Sequence, residues 1–395
     1  MEIADLTQRA FLTELTDNEI IIRDTIRDFA EKNIRPYIME YDELQKFPSE
    51  IIKQLGELGF LGVLIPEEFG GVGLGYREFS IVIEELARVD PSVALSVAAH
   101  NGLCTNHIYL FGNEYQRKKY LPDLTSGTKL GAWGLTESSS GSDAAGMKSY
   151  AEKKGDHYIL NGGKTFITHG TVGSIAVVMA ITDKSKGKKG ISAFILEKGM
   201  EGFIAGKKEN KLGMRASDTT QLIFENCRIS VENLLGNEGE GYDQAMNVLE
   251  GGRISIAALS VGLAQGCLDA SIKYGNERMQ FNKRINQFQA IQFKLADIAV
   301  NIEAARMLTH RAAYLKDNGK PVRKEAAEAK LFASEIAEKA SSEAVHIHGG
   351  YGFIKDFPVE KFYRDVKLCT IGEGTSEIQR IVIAKEILNS SSTDY

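Results

Sequence analysis

Between residues 16 and 128 apolar side chains recur every three or four positions, the spacing that lines them along one face of a helix. The first such stretch, 16–33, opens on Thr16-Asp17-Asn18-Glu19, a capping-box pattern, and is expected to close before Pro36. A second helix starts at Phe47-Pro48-Ser49, where Gly56 and Gly59 weaken it, and Pro66 with the glycines up to Gly75 breaks the period into a loop. Further helices are predicted over 77–88, 92–111 and 114–120, the last ending near Pro122. Beyond Leu130 the pattern turns to short β-rich segments at 131–135, 147–152, 158–160, 164–168, 175–181, 192–196 and 221–224. Turns are read at Lys154-Gly155-Asp156, Asn161-Gly162-Gly163 and Lys186-Gly187-Lys188. Helical spacing returns at Tyr242. The stretch 253–278 is apolar almost all round, as in a bundle interior; helices at 288–317 and 322–346 follow. The last of these sets Glu325, Glu328, Lys330, Glu335 and Glu338 on a solvated face, and the polar tail 389–395 is expected to fray.

Helices, strands, then helices again give an α+β multidomain chain: an N-terminal helical domain (1–128), a middle antiparallel β-barrel domain (129–238) and a C-terminal four-helix-bundle domain (239–395). Strands without intervening helices argue against a parallel nucleotide-binding sheet. The glycines near Gly70 follow no strand and precede no Gly-Lys-Ser/Thr, so a P-loop is unsupported.

Composition narrows the picture a little. A chain of 395 residues, 43% hydrophobic and 25% charged, is ordinary for a globular protein with substantial cores. The four cysteines are far apart and show no paired metal-ligand spacing, which suits packed thiols in a reducing compartment. Residues 1–5 carry no basic-then-apolar leader, so a cytoplasmic protein is expected, or an organellar-matrix one had a transit peptide been removed. The strongly apolar run 175–181 is too short to cross a bilayer, and no membrane span is expected. With 47 Lys+Arg against 53 Asp+Glu, net −6 and no long basic run, nucleic-acid binding is unsupported.

Several segments carry candidate chemistry, each with a bland counterpart. Trp133-Gly134-Leu135-Thr136 leads into the hydroxyl-rich Ser138-Ser139-Ser140-Gly141-Ser142-Asp143, which by itself makes a turn. Arg278 at a helix end is ordinarily a solvated cap partner. His346 and His348, two apart, lack the further ligands a zinc site needs, so no metal is expected. Gly372-Glu373-Gly374-Thr375-Ser376-Glu377 reads on spacing alone as a glycine-flanked helix start capped by Thr375 or Ser376. It equally gives a carboxylate little steric cover, a placement that suits a base.

Glu-Gly-Thr-Ser-Glu-Ile-Gln-Arg at 373–380 resembles the C-terminal signature of the acyl-CoA dehydrogenases, short- and medium-chain, butyryl-CoA dehydrogenase-like members among them. The resemblance runs over nearly the whole chain and implies that family's fold, an FAD cofactor and an acyl-CoA substrate. It implies Glu373 as the base that takes the α-proton. It also implies a flavin site from Trp133, Leu135, Thr136, Gly141 and Ser142, with Phe166-Ile167-Thr168 standing where the family usually has Trp-Ile-Thr. Glu277-Arg278-Met279-Gln280-Phe281 is similar to the family's Glu-Arg-x-x-Phe, which implies Arg278, Phe281 and Gln289 on the FAD of a neighbouring subunit, within a homotetramer. The turn from His346 to Gly352 resembles Gln-x-x-Gly-Gly-x-Gly, implying Gly349 and Gly350 at the adenine end, with His346 in the glutamine's place. Thr375, Ser376 and Glu377 join the cofactor set; Ser142, Glu250, Arg253 and Gly374 join the substrate set. Gly252 stands where displaced-base members carry glutamate before Arg253, which keeps the base at Glu373 and favours short or medium straight chains; Gly372 replaces a usual tyrosine. Electrons are expected to leave to electron-transferring flavoprotein. The competing readings are an oxygen-using acyl-CoA oxidase, disfavoured nitroalkane oxidases and hydroxylases, and a non-catalytic DNA-associated relative that net −6 speaks against.

Overall fold

A computed structural model describes residues 14–391. The capping box at its start forms as read: Thr16 Oγ1 accepts from Glu19 N–H and Thr16 N–H donates to Glu19 Oε2 at 2.7 Å, opening α1 (Asp17–Phe29). The buried Glu19 carboxylate pairs with Arg77 of α4 (Tyr76–Val89), so the cap also docks two helices. The chain does not stop before Pro36. It continues through a widened turn (Ala30–Ile34) and a 3₁₀ turn (Arg35–Tyr37), whose first turn tolerates a proline because no N–H is needed there, into α2 (Ile38–Leu44). α3 (Ser49–Glu57), α5 (Pro91–Ala99) and α6 (Asn106–Phe111) complete the layer, followed by α7 (Glu114–Thr125). Pro122 lies inside α7, on an exposed face beside the exposed Lys118, whose freed carbonyl can reach water.

The middle region holds β1 (Gly131–Gly134), β2 (Tyr150–Lys154), β3 (His157–Thr168), β4 (Ile175–Ile181), β5 (Ile191–Glu197), β6 (Phe203–Lys208), β7 (Thr219–Ser230) and β8 (Leu234–Leu235). They form one sheet in the order β6-β7-β3-β2-β4-β5-β8, with β1 parallel to β4. The expected barrel is therefore corrected to an open sheet. β2 and β4 meet at a single parallel pair, Tyr150 with Ile181, so the two antiparallel halves fold over a core containing Tyr158, Phe194 and Phe224 without their outer edges joining. Asn161-Gly162-Gly163 is not a turn but a bulge within β3. Gly162 sits at φ +132°, and a Cβ there would run into Ser149. β6 had no counterpart in the sequence reading; its burial pattern is mostly exposed or half-exposed.

The last region is a helical bundle of α8 (Gly241–Glu277), α9 (Gln289–Asp317), α10 (Arg323–His348) and α12 (Ser376–Ser391), with the short α11 (Val359–Asp365). α8 is long and apolar enough to suggest a membrane helix, yet 83% of its most apolar stretch is buried among its neighbours. It is the axis of the protein. α4 packs on one side of it and α9 and α10 on others. Fully buried Lys361 ties the regions together: its Nζ donates to Asp90 Oδ1 (2.8 Å) and Asp365 Oδ2 (2.6 Å), while Asp365 Oδ1 accepts from Met214 N–H (2.6 Å). All four cysteines are buried and unpaired. Of the tail expected to fray, residues 389–391 continue α12 and the rest, like residues 1–5, lies outside the described residues.

Candidate active site

A sharp reversal between the turn Val366–Thr370 and α12 presents Glu373. Its φ is +52° and that of Gly374 is +94°, both in the left-handed region. Such a backbone must be held. Gln379 Nε2 donates to Glu373 O (3.2 Å) and Gly374 O (2.9 Å), and Lys330 Nζ donates to Gly374 O (2.8 Å). Thr375 Oγ1 accepts from Ile378 N–H at 3.4 Å, so the capping role and the site role fall on one segment.

The Glu373 carboxylate lies in a notch on α8 where Gly252 has no side chain; a Cβ there would overlap Oε2. Although the residue as a whole is half-buried, Oε2 is shielded from water and has no hydrogen-bond partner. Burial raises the carboxyl from 4.5 to about 7, against the lowering pull of Lys330 and Arg253. Arg253, 6% exposed, is lowered by burial, and its Nε has no partner; Ser376 Oγ and Gln379 Oε1 are likewise unpartnered. Buried polar atoms without partners, gathered around one carboxylate, fit a site completed by a polar ligand. Tyr76 crosses α8 beside Gly251, its hydroxyl accepting from Asn106 Nδ2 at 2.9 Å.

Trp133 packs against the buried cluster of Ala99, Leu103 and Val248, the last one helical turn before Gly252. Its indole is fixed by a relay that the sequence reading missed: Trp133 Nε1–H donates to His107 Nδ1 (2.9 Å), and His107 Nε2 lies 3.0 Å from Gln244 Oε1. Accepting at Nδ1 makes Nε2 the donor of a neutral ring, and burial lowers His107 to about 4, which keeps it so. Thr136 O accepts from Thr165 N–H (2.9 Å) and Leu135 O from Lys164 Nζ (3.1 Å), which brings the Trp133–Thr136 segment beside Phe166, Ile167 and Thr168. Phe166 is 68% exposed at φ +60°, an aromatic face offered outward, whereas Ile167 is buried. Gly141 and Ser142 are exposed, with nothing near a Cβ at Gly141.

At the far end of α8 a cavity of about 550 Å³ brings together Arg278, Gln280, His348, Gly349, Gly350 and Tyr351. The Arg278 guanidinium lies 5.4 Å over the Tyr351 ring, and His348 stacks on Tyr274 at 4.3 Å. Both glycines face open space, as a cradle for a planar or phosphate-bearing group would. Phe281 is 87% exposed against Phe288, Gln289 is exposed at the first turn of α9, and His346 is exposed facing Glu343; none of the three lines the cavity. Glu250 is half-buried, 3.8 Å from Lys316, and Glu377 is exposed.

Lys330 is a correction. Expected on a solvated face, it is fully buried and reaches the Glu373 loop. The signal was present: Lys330 falls in the stripe Ala326, Ala329, Ala333, Ala337, the buried side of α10.

Comparison with known proteins matches this geometry to one family. Residues 16–128, 132–227 and 239–388 match the N-terminal, middle and C-terminal domain models of acyl-CoA dehydrogenase. The chain is 45% identical over 373 residues to the short-chain-specific acyl-CoA dehydrogenase of Clostridium acetobutylicum, covering 94% of this chain and 98% of that one. It superposes on butyryl-CoA dehydrogenase from Megasphaera elsdenii with a TM-score of 0.93 at 44% identity, covering 95% and 99% of the two chains. A chain from a structure of the electron transferring flavoprotein of Acidaminococcus fermentans, described in connection with flavin-based electron bifurcation, gives 0.94 at 48% identity over 95% and 99%. The chain thus belongs to the acyl-CoA dehydrogenase family of FAD-dependent oxidoreductases.

Proposed function

We propose that the protein desaturates a short, straight-chain acyl-CoA to the trans-2-enoyl-CoA and passes the electrons to an electron-transferring flavoprotein. One observation carries the reading: a carboxylate shielded from water at Oε2, without a partner, and raised to about 7. An α-proton beside a thioester is a weak acid, and a carboxylate stripped of water closes part of the gap in proton affinity. Glu373 takes that proton at a carboxylate oxygen. Bound FAD supplies the two-electron acceptor for the hydrogen leaving the β-carbon, so a carbon–carbon double bond remains. The Glu373 N–H is offered to the thioester oxygen, where charge builds as the proton leaves. Arg253 stands behind the carboxylate as a cation for the CoA portion, and Gly252 leaves the notch that admits the Glu373 side chain.

Two half-sites for FAD lie on one chain. From Gly252 to the end of α8 is roughly 38 Å at 1.5 Å per residue, more than one FAD spans. The Arg278 cradle therefore serves the FAD of another subunit, which supports a homo-oligomer, and we favour the homotetramer. Phe281 and Phe353, each 87% exposed, give this end of the chain apolar surface to bury.

The test is anaerobic bleaching of the purified protein's flavin by a ladder of straight and branched acyl-CoAs. The expected result is fastest bleaching by a four-carbon chain, and a Glu373→Gln variant that keeps FAD but is not bleached. Near-wild-type turnover by that variant refutes the assignment. Rapid oxygen uptake during turnover moves the reading to an oxidase.

A further inference from the structure

Lysine is costly to bury. Taking an ammonium out of water carries a penalty of several kcal/mol unless opposite charge and hydrogen bonds offset it. α10 nevertheless places Lys330, with no exposed surface, in a stripe otherwise made of the fully buried Ala326, Ala329, Ala333 and Ala337. Another alanine or a methionine would pack there at no electrostatic cost. The lysine points at the reversal that presents Glu373, and its Nζ donates to Gly374 O at 2.8 Å. It also exerts the largest charge effect on the Glu373 carboxyl, ahead of Arg253.

We propose that Lys330 is a positioning residue for Glu373: its ammonium pins the left-handed Glu373–Gly374 segment through the Gly374 carbonyl and sets a positive charge beside the base at neutral pH. The inference rests on the reading of Glu373 as the base. Gln379 shares the first task, since its Nε2 reaches the same carbonyl at 2.9 Å. The second task belongs to a cation, and the surroundings leave few. Around the pair stand Arg253 and Glu250 from α8, Tyr76 from α4, Cys369 from the turn before the loop, and Glu335 from α10 itself. From α12 come Glu377 and Arg380, and Arg380 is engaged with Glu335 at 2.7 Å. α9 brings Lys316, engaged with Glu250 at 3.8 Å. Arg253 has its Nε unpartnered and is lowered by burial, as a group would be that waits for an anionic substrate. That leaves Lys330 as the cation tied to the loop rather than to a ligand. Burial lowers it to about 8, with Cys369 and Glu373 opposing, so it is charged at neutral pH and begins to lose that charge just above it. The two titrations are then coupled.

Two variants separate the tasks. Lys330→Gln keeps a donor near the Gly374 carbonyl and removes the charge; Lys330→Met removes both while filling the space. In the FAD-loaded enzyme, kcat/KM is followed from pH 5.5 to 9 by anaerobic flavin reduction. In parallel the carboxylic C=O infrared band, assigned as the one missing in Glu373→Gln, is titrated without substrate. The expected result is that both variants move the acid limb and the band upward by about one pH unit. Only Lys330→Met should also lower the plateau rate, by loosening the reversal. A limb and band unmoved in both variants, or moved by methionine but not by glutamine, overturn the proposal. If Glu373→Gln itself turns over, the reading of the base has failed instead, and the Lys330 result does not decide that.

Discussion

Replacing Glu373 by glutamine removes an ionisation that the fold makes difficult. In the native protein this carboxyl stands at about 7 instead of the ordinary 4.5, raised by burial against the opposing charges of Lys330 and Arg253. A carboxyl raised on folding contributes its full stability below about pH 4.5 and loses it as pH rises through 7, because the unfolded chain ionises the same group more easily. Integrated between those two values, at about 1.4 kcal/mol per tenfold, the loss is about 3 kcal/mol at pH 8 and about 1 kcal/mol or less at pH 5. Glutamine keeps the shape and cannot ionise, so Glu373→Gln should be the more stable protein by about that amount at pH 8. With roughly 2 cal/mol/K per residue of unfolding entropy, the gain in Tm is about 4 °C at pH 8 and about 1 °C at pH 5. The assay is calorimetry of FAD-loaded wild type and variant, matched for FAD content, at the two pH values. No gain at pH 8, or an equal gain at both, refutes the buried-base account even if activity is lost. With Glu373 as the proposed base, the same proton acts on catalysis in the opposite sense: wild-type kcat/KM should rise about tenfold from pH 6 towards a plateau above pH 8, since only the ionised form would take the α-proton.

Three further substitutions bear on other parts of the molecule. Lys361→Met leaves Asp90 and Asp365 facing each other without their cation and should cost about 3–5 kcal/mol in thermal or denaturant unfolding at pH 8. Burial already raises Asp365, so protonation should relieve part of that loss as the pH falls. His107→Phe removes the acceptor of the Trp133 indole N–H; Trp133 is the chain's single tryptophan, so its emission spectrum should shift while FAD content holds, and an unchanged spectrum counts against the relay. Arg278 lines the cavity proposed to cradle FAD; on that reading Arg278→Gln removes a charge-assisted phosphate contact and should weaken FAD retention about 10- to 100-fold on gel filtration, with the subunits still folded.

What the sequence made legible, and what it hid, follows one physical line. Periodicity located α8, α9 and α10 because each keeps one spacing for many turns, and β4 matched its predicted span because an all-apolar strand has no competing pattern. Short motifs singled out Glu373, Trp133 and Arg278 because each lies in a contiguous string that resembles a family motif, and the structure sets Glu373 against α8 at Gly252 and Arg278 in a cavity wall. Several of the failures fall on residues whose meaning depends on something distant in the chain. The glycines of Asn161-Gly162-Gly163 look like a turn until Ser149 is seen to occupy the space a side chain would need. The sheet looks like a barrel until β2 and β4 are seen to share one residue pair. His107 carried no motif at all, since its partners Trp133 and Gln244 lie 26 and 137 positions away. Lys330 was misread by type, charged and therefore wet, although its position among alanines spoke for burial. Composition rules describe the average surface of a helix, and a buried charge is the exception that such rules discard. It is also the exception that a base of raised proton affinity needs, because a carboxylate desolvated enough to be basic still needs a nearby positive charge to remain ionised at neutral pH. A buried cation within reach of a buried carboxylate is thus a feature to look for wherever a sequence suggests a carbon-acid base, before any contact has been seen.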